Sequence, residues 1–245
     1  MKDCPDLTII LCSLNEMGRI QVAYDQLLNS SKGREESIEI LCIDNGSTDG
    51  TKEYLMNLSG DHLKVLINDR NIGKGGSIKR GIAQSTGRYL VIHDPDQEYD
   101  AGDIWRVYEN TIRYDLDMVL GSRVLGGQAF YKYRLNYWGV SALTWLINAL
   151  YGSHLTDSAT AMKLIRGDLA RKINWRCDGF DLDFELIVRV LRLGGRIGET
   201  NIKYYPRTIE EGKKLRAWRD GFKSLMPILR DRILPKSRLY KKIDF

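Results

Sequence analysis

The 245-residue sequence predicts an α/β fold: one domain with a mostly parallel sheet flanked by helices. Two observations carry this. Short apolar runs alternate with longer amphipathic stretches through the first half, the βαβα order that folds into a parallel sheet covered on both faces. Polar strings rich in Gly, Asp, Asn or Ser follow four of those runs, and right-handed crossovers place all such strand-end loops on one rim.

Leu7 to Leu11 reads as the first strand, residues 16 to 29 as a helix, and Ile38 to Ile43 as the second strand. Gly50 to Leu58 suggests a helix, Leu63 to Ile67 a third strand, residues 74 to 85 a helix, and Tyr89 to Ile92 a fourth, fully buried strand. Met118 to Leu120 is a further strand ending at Gly121-Ser122-Arg123. Tyr133 to Tyr151 is an aromatic-rich helix with no charged residue after Arg134, shorter than the roughly 20 apolar residues that span a bilayer. Core burial is its simplest fate, although Tyr133, Tyr137, Trp138, Trp145 and Tyr151 also suit a membrane interface or a homodimer contact. No linker splits the chain, so residues 1–230 are expected to form the domain and 231–245 a basic tail.

Hydrophobic residues at 43% and charged residues at 28% exclude a disordered chain. Cys4, Cys12, Cys42 and Cys177 show no C-x-x-C spacing, which argues against structural zinc and a disulfide framework. Reduced cysteines without a secretory signal point to the cytoplasm. The net charge of +5 is concentrated after Lys203, where thirteen Lys/Arg face five Asp/Glu. Trp218, Phe222, Leu225, Met226 and Leu229 interleave with those charges at helical spacing, so a basic amphipathic helix on a membrane surface is favoured over nucleic acid.

The strongest chemical signal is Asp94-Pro95-Asp96-Gln97-Glu98 at the end of the fourth strand. Two such close carboxylates repel unless counter-charge is supplied, and a divalent cation supplies it while leaving positions for phosphate oxygens. The competing reading is a polar loop in which Asp96 caps a helix beginning near Ala101. Asp44, in Asp44-Asn45-Gly46-Ser47-Thr48-Asp49-Gly50, sits where a carboxylate can accept from a base N–H or a ribose hydroxyl, while Ser47, Thr48 or Asp49 can cap the next helix. Asn71-Ile72-Gly73-Lys74-Gly75-Gly76 could bring amides and a cation to phosphates, or its glycines could serve close packing of helix on sheet. It matches neither the P-loop nor the dinucleotide fingerprint. Asp157 to Lys163 and Phe180 to Leu186 are the polar clusters of the second half. Asp181, Asp183 and Glu185 alternate there with apolar residues, which would let one acid face a cavity while another caps a helix.

These strings, in this order, resemble family 2 glycosyltransferases of the GT-A (Rossmann-like) fold, and within them the dolichyl/polyprenyl-phosphate sugar synthases. The resemblance runs from Leu7 to about Ile228 and rests on S-L-N-E, I-D-N-G-S-T-D-G-T, N-x-G-K-G, D-x-D with a nearby acid, G-S-R, D-S-A-T-A-M-K and Y-Y-P-R-T-I-E-E-G-K-K. It implies that Ser13, Asn15, Glu16 and Asp44 hold the nucleoside of a nucleotide-sugar, with Gly73 and Lys74 on the donor side. It implies Asp94 and Asp96 as ligands of Mg²⁺ or Mn²⁺, with Glu98 as a further ligand. Arg123 and Arg134 would meet the acceptor phosphate, and Arg207 with Lys213 or Lys214 would approach phosphates from the C-terminal segment. Developing charge on the leaving diphosphate is then met by metal and fixed cations. An anionic acceptor phosphate needs no general base, whereas a hydroxyl acceptor would require Asp181 or Asp183.

The chain departs from relatives at Pro95 and Gln97, and His93 precedes the motif as a packed histidine or an extra ligand. Many lipid-dependent relatives also carry C-terminal membrane helices, a segment not present in these 245 residues. The expected activity is inverting, metal-dependent sugar transfer, from UDP ahead of GDP, to a polyprenyl phosphate at the cytosolic membrane face. A soluble glycan or protein hydroxyl acceptor is the alternative. A non-catalytic sugar-nucleotide or membrane-binding protein on the same fold is a third reading, against which the intact Asp94/Asp96 pair counts.

Overall fold

The computed structural model describes residues 4–125, 134–207 and 217–241, with backbone alone at 134–136 and 217–220. The elements run β1 (Leu7–Ser13), α1 (Met17–Ser31), β2 (Ile38–Asp44), α2 (Thr51–Met56), β3 (Leu63–Ile67), α3 (Lys74–Gln84), β4 (Tyr89–His93) and α4 (Asp103–Arg113). They continue with β5 (Met118–Ser122), α5 (Arg134–Tyr151), β6 (Lys163–Arg166), α6 (Gly167–Lys172), α7 (Leu182–Arg192), β7 (Ile197–Asn201) and α8 (Ala217–Ile233).

The strands form a seven-stranded sheet in the order β3-β2-β1-β4-β6-β5-β7. Only β6 is antiparallel to its neighbours, β4 and β5. The reversal puts its first residue, Lys163, beside Ile92 and Leu120, at the rim where β4 and β5 end. The C-terminal ends of β1, β2, β3, β4, β5 and β7 share that rim, where open α/β sheets bind ligands.

Alternation along the strands builds two cores. Leu7, Ile9 and Leu11 pack with Ile20, Tyr24 and Leu27 of α1 and Ile104, Trp105 and Tyr108 of α4. Ile10, Ile43, Leu90 and Ile92 face α3, α5, α6, α7 and α8 on the opposite side. Gly81 allows α3 to lie close to the sheet, since a Cβ there would sit 2.8 Å from Ile43 Cδ1.

β6 and β7 lack the apolar runs that mark the other strands, because charged or polar residues end both. The alternation at Phe180 to Leu186 opens α7, a helix buried from Leu182 to Val190, so that Asp183, Glu185 and Arg189 are buried together with its apolar residues. In α5 the core takes Ile147 and neighbouring leucines, while Trp138 and Trp145 stay 64% and 68% exposed, contrary to the simple burial expected. At the C-terminus, α8 continues past residue 230. Asp231 is fully buried against Arg189, and Leu239 is buried with its carbonyl accepting from Asn174 N–H at 2.8 Å. Residues 231–241 thus pack onto the domain. No helix among the described residues is long and apolar enough to cross a membrane.

Candidate active site

Asp94, Asp96 and Glu98 occupy the loop after β4, which turns tightly through Pro95 and through Gln97 at φ 61°. The Glu98 N–H donates to Asp96 Oδ1 at 3.1 Å. Each carboxylate meets a cation. Lys74 Nζ, on the first residue of α3, lies 2.7 Å from Asp94 Oδ2. Arg207 Nη2 lies 2.6 Å from Asp96 Oδ2, and its Nε 3.2 Å from Glu98 Oε1. Tyr204 Oη donates to Glu98 Oε2 at 3.0 Å, and the Arg207 N–H to Glu98 Oε1 at 3.2 Å. Behind Lys74, Asp183 Oδ2 is 3.9 Å away, and Asp183 Oδ1 is 3.1 Å from Lys163 Nζ, which also donates to the Thr160 carbonyl. The result is a line of alternating charge, Lys163–Asp183–Lys74–Asp94.

The titration behaviour follows from this packing. Burial, then the charges of Asp94 and Glu98, push the Asp96 carboxyl up to about 6 against the pull of Arg207. Burial works against charge on Lys74, but Asp94 and Asp183 outweigh it and hold the ammonium well above the ordinary lysine value. Burial draws Lys163 down, opposed by Asp183. His93 is driven down to about 4 by burial, and its Nδ1 is buried without a hydrogen-bond partner, so it is a packed neutral imidazole.

Across the rim, the loops after β1 and β2 are stitched together. Asn15, at φ 51°, donates its N–H to Ser47 Oγ at 2.9 Å and accepts the Thr48 N–H on Oδ1 at 2.8 Å. Asp49 accepts the first-turn N–H groups of both α1 (Met17, 3.0 Å) and α2 (Thr51, 3.1 Å), so the capping role belongs to Asp49 rather than Ser47 or Thr48. Ser13 Oγ donates to the Ile43 carbonyl at 3.2 Å, and Glu16 pairs with Arg19 at 3.0 Å. Asp44 uses Oδ2 to accept from Gly46 and Ser47 N–H, both at 3.0 Å, while its Oδ1 is buried without a partner. A buried acceptor of this kind is costly unless a ligand supplies a donor.

Gly73 and Gly75 serve close approach. The Gly76 N–H donates to the Asp178 carbonyl at 3.1 Å, and a Cβ on Gly75 would lie 2.8 Å from the Cys177 and Gly179 carbonyl oxygens. This turn is packed against backbone rather than opened as an amide cradle, which leaves Lys74 as its contribution to the rim.

Arg123 is buried and bound to Asp157 through Nε at 2.7 Å and Nη2 at 2.8 Å, with its Cζ 5.0 Å above the Tyr204 ring. Asp181 turns away to the Gly179 N–H at 3.0 Å, so Asp183 is the acid that joins the charged cluster. The side chain of Arg134, and Lys213 and Lys214 altogether, lie outside the described residues. Sequence reasoning did not single out Lys163, Asp157 or Tyr204. The D-S-A-T-A-M-K and Y-Y-P-R strings contain them, but only the reversed β6 and the β7 exit loop show what they touch.

Among the described residues, no group of three or more His, Cys, Asp and Glu side chains is arranged to hold a metal ion. Asp94, Asp96 and Glu98 turn to Lys74 and Arg207 instead. The donor set nevertheless fits a hard divalent cation, since it consists of carboxylate oxygens gathered in one loop.

The profile described as "Glycosyl transferase family 2" matches residues 8–173. The chain is 26% identical over 246 residues to a dolichyl-phosphate beta-glucosyltransferase of Dictyostelium discoideum, covering 92% of this chain and 72% of that protein. It is 24% identical over 225 residues to the Saccharomyces cerevisiae protein of the same name, covering 81% and 66%. Among solved structures, glucosyl-3-phosphoglycerate synthase from Mycobacterium tuberculosis, in complex with Mn²⁺, UDP and phosphoglyceric acid, superposes with a TM-score of 0.68 at 17% identity, covering 95% of this chain and 80% of that one. The same synthase is also known with Mg²⁺ and UDP. The sheet and its helices have the GT-A fold, and the chain belongs to glycosyl transferase family 2.

Proposed function

We propose that the chain transfers a hexose, glucose foremost, with inversion from UDP to a polyprenyl phosphate at the cytosolic surface of a membrane. The observation that carries this reading is the carboxylate set Asp94, Asp96 and Glu98, each member held against a cation at the rim. Asp94, Asp96 and Glu98 would hold Mg²⁺ or Mn²⁺, which when bound neutralises charge on the leaving diphosphate. Asp44 would turn its free Oδ1 to an N–H or hydroxyl of the nucleoside, and Asn15 keeps that wall in place. Lys74 and Arg207 would supply positive charge to the diphosphate, where it is most useful in a site shielded from water.

For the acceptor, Arg123 arrives oriented by Asp157, and a phosphate oxygen is already anionic. Asp183 is committed to two ammonium groups, an arrangement suited to positioning and poorly suited to accepting a proton from a hydroxyl. The helices that follow Arg123 and Arg207 in the chain support a lipid acceptor. Trp138 and Trp145 of α5 are exposed, as are Phe222 (76%), Met226 (62%), Leu229 and Ile233 (83%) of α8, spaced as one apolar stripe. Such a stripe, flanked by the exposed Lys223 and Arg232, suits the interface of an anionic bilayer. The names of relatives and the UDP and UDP-glucose of structural neighbours favour glucose and uridine.

The test is a panel of UDP- and GDP-sugars offered with a short polyprenyl phosphate, the corresponding polyprenol, and soluble glycans. Product from UDP-glucose with the phosphate alone supports the reading. Product from the polyprenol or a glycan would move the acceptor to a hydroxyl, and donor binding without any product would favour a non-catalytic role.

A further inference from the structure

Lys74 and Arg207 together carry two positive charges, the charge of one divalent cation, and they lie on the carboxylates that would bind it. Arg207 is engaged from two nitrogens: Nη2 on Asp96 at 2.6 Å and Nε on Glu98 at 3.2 Å. Its third nitrogen, Nη1, is buried with no hydrogen-bond partner. A guanidinium with unused N–H groups in a shielded site is set for another acceptor, and its planar fork matches phosphate oxygens. The strap carrying Arg207 is fastened to the carboxylate loop by the Tyr204 hydroxyl on Glu98 Oε2, by the Tyr205 N–H on the Glu98 carbonyl at 2.9 Å, and by the Arg207 N–H on Glu98 Oε1.

Lys74 has the complementary construction. Its backbone is fixed where Gly73 and Gly75 press on Asp178, and its ammonium group lies between Asp94 at 2.7 Å and Asp183 at 3.9 Å. Asp183 is itself held by the buried Lys163. An ammonium that leaves Asp94 therefore keeps a second anionic partner and stays at the rim.

We propose that Lys74 and Arg207 are stand-ins for the divalent cation: they balance the carboxylates in the metal-free protein, compete with the cation for them, and turn to the donor diphosphate once displaced. The two cations thus oppose binding of metal alone and favour binding of metal together with diphosphate. The same residues couple the two ligands, and such coupling is reciprocal. This inference rests on the metal-dependent reading given above.

The test measures Mn²⁺ binding to metal-free protein by the EPR signal of free Mn²⁺, and UDP binding at saturating Mn²⁺ by calorimetry, for wild type, Arg207→Gln, Lys74→Gln and Arg207→Lys. Without nucleotide, Arg207→Gln and Lys74→Gln should each bind Mn²⁺ about tenfold more tightly, a coupling of ordinary size, and bind UDP with Mn²⁺ about tenfold more weakly. Arg207→Lys, which keeps the charge, should stay near wild type for Mn²⁺, an outcome that loss of packing alone would not give. Mn²⁺ bound by wild type with equal or lower affinity in both Gln variants overturns the inference and leaves the metal reading standing. Mn²⁺ bound by none of the proteins, even with UDP, overturns both.

Discussion

Arg123 and Asp157 form a buried two-point ion pair, Nε to Oδ2 at 2.7 Å and Nη2 to Oδ1 at 2.8 Å, reinforced by the Arg123 N–H on Oδ2 at 3.1 Å. Asp157 is itself fixed, since its own N–H donates to Glu199 at 2.9 Å. Burial would raise the Asp157 carboxyl, but the Arg123 guanidinium outweighs it and holds the group below its ordinary value. A depressed carboxyl contributes stability above the unfolded-state pKa, and that stability is lost as pH falls through the lower folded value. Asp157→Asn should therefore cost about 3 kcal/mol at neutral pH, because it removes the negative charge paired with a buried guanidinium. Acid titration of chemical denaturation midpoints checks this. The variant should show a shallower stability loss in acid than wild type, and acceptor use should fall more than UDP affinity.

Asp96 has the opposite sign. Its carboxyl is pushed up to about 6, so in the metal-free protein it contributes stability that is fully present below the unfolded-state value and is lost as pH rises through 6. Asp96→Asn should raise metal-free stability at neutral pH by on the order of 1 kcal/mol while abolishing transfer. Thermal melts with and without EDTA read the first effect and product formation the second. A variant that loses stability without metal would contradict the electrostatic account.

The turn before α3 depends on absent side chains. Gly75→Ala places a Cβ 2.8 Å from three backbone atoms of the 177–179 segment, which must move or push Lys74 off Asp94. The expected result is a stability loss of about 1–3 kcal/mol with weakened UDP binding. Gly221→Ala in α8, where the new methyl meets nothing within 4 Å, is the control and should leave UDP binding unchanged.

The legibility of the chain in its sequence follows from local pattern. β1 to β4 are short, mostly apolar runs between turn residues, broken only by Thr8, Glu39 and Lys64 within the first three, so their order and shared rim could be read directly. The donor-side strings lie within that half. The second half hides its strands, because β6 is four residues long and β7 contains Gly198, Glu199 and Thr200. Sequence could place Arg207 near phosphate only through resemblance. Its seat on Asp96 and Glu98 depends on a contact across 111 positions of chain. Asp181 and Asp183 were inseparable by periodicity, and helix geometry separates them: Asp183 reaches Lys163 and Lys74 from the first turn of α7, and Asp181 does not.

The α8 stripe gives a prediction that does not involve the catalytic groups. Phe222→Ser, Met226→Ser and Ile233→Ser together remove three of its largest exposed side chains. Co-sedimentation with anionic vesicles should fall sharply while UDP binding with Mn²⁺ is retained. Undiminished co-sedimentation would place lipid contact elsewhere.

The most direct measurement is glucosyl transfer from UDP-glucose to a short polyprenyl phosphate with Mn²⁺, with EDTA, and with Asp96→Ala in Mn²⁺. Glycolipid is expected with wild type and Mn²⁺ only. Glycolipid formed equally by Asp96→Ala or in EDTA would contradict the assignment of Asp94, Asp96 and Glu98 as the cation site.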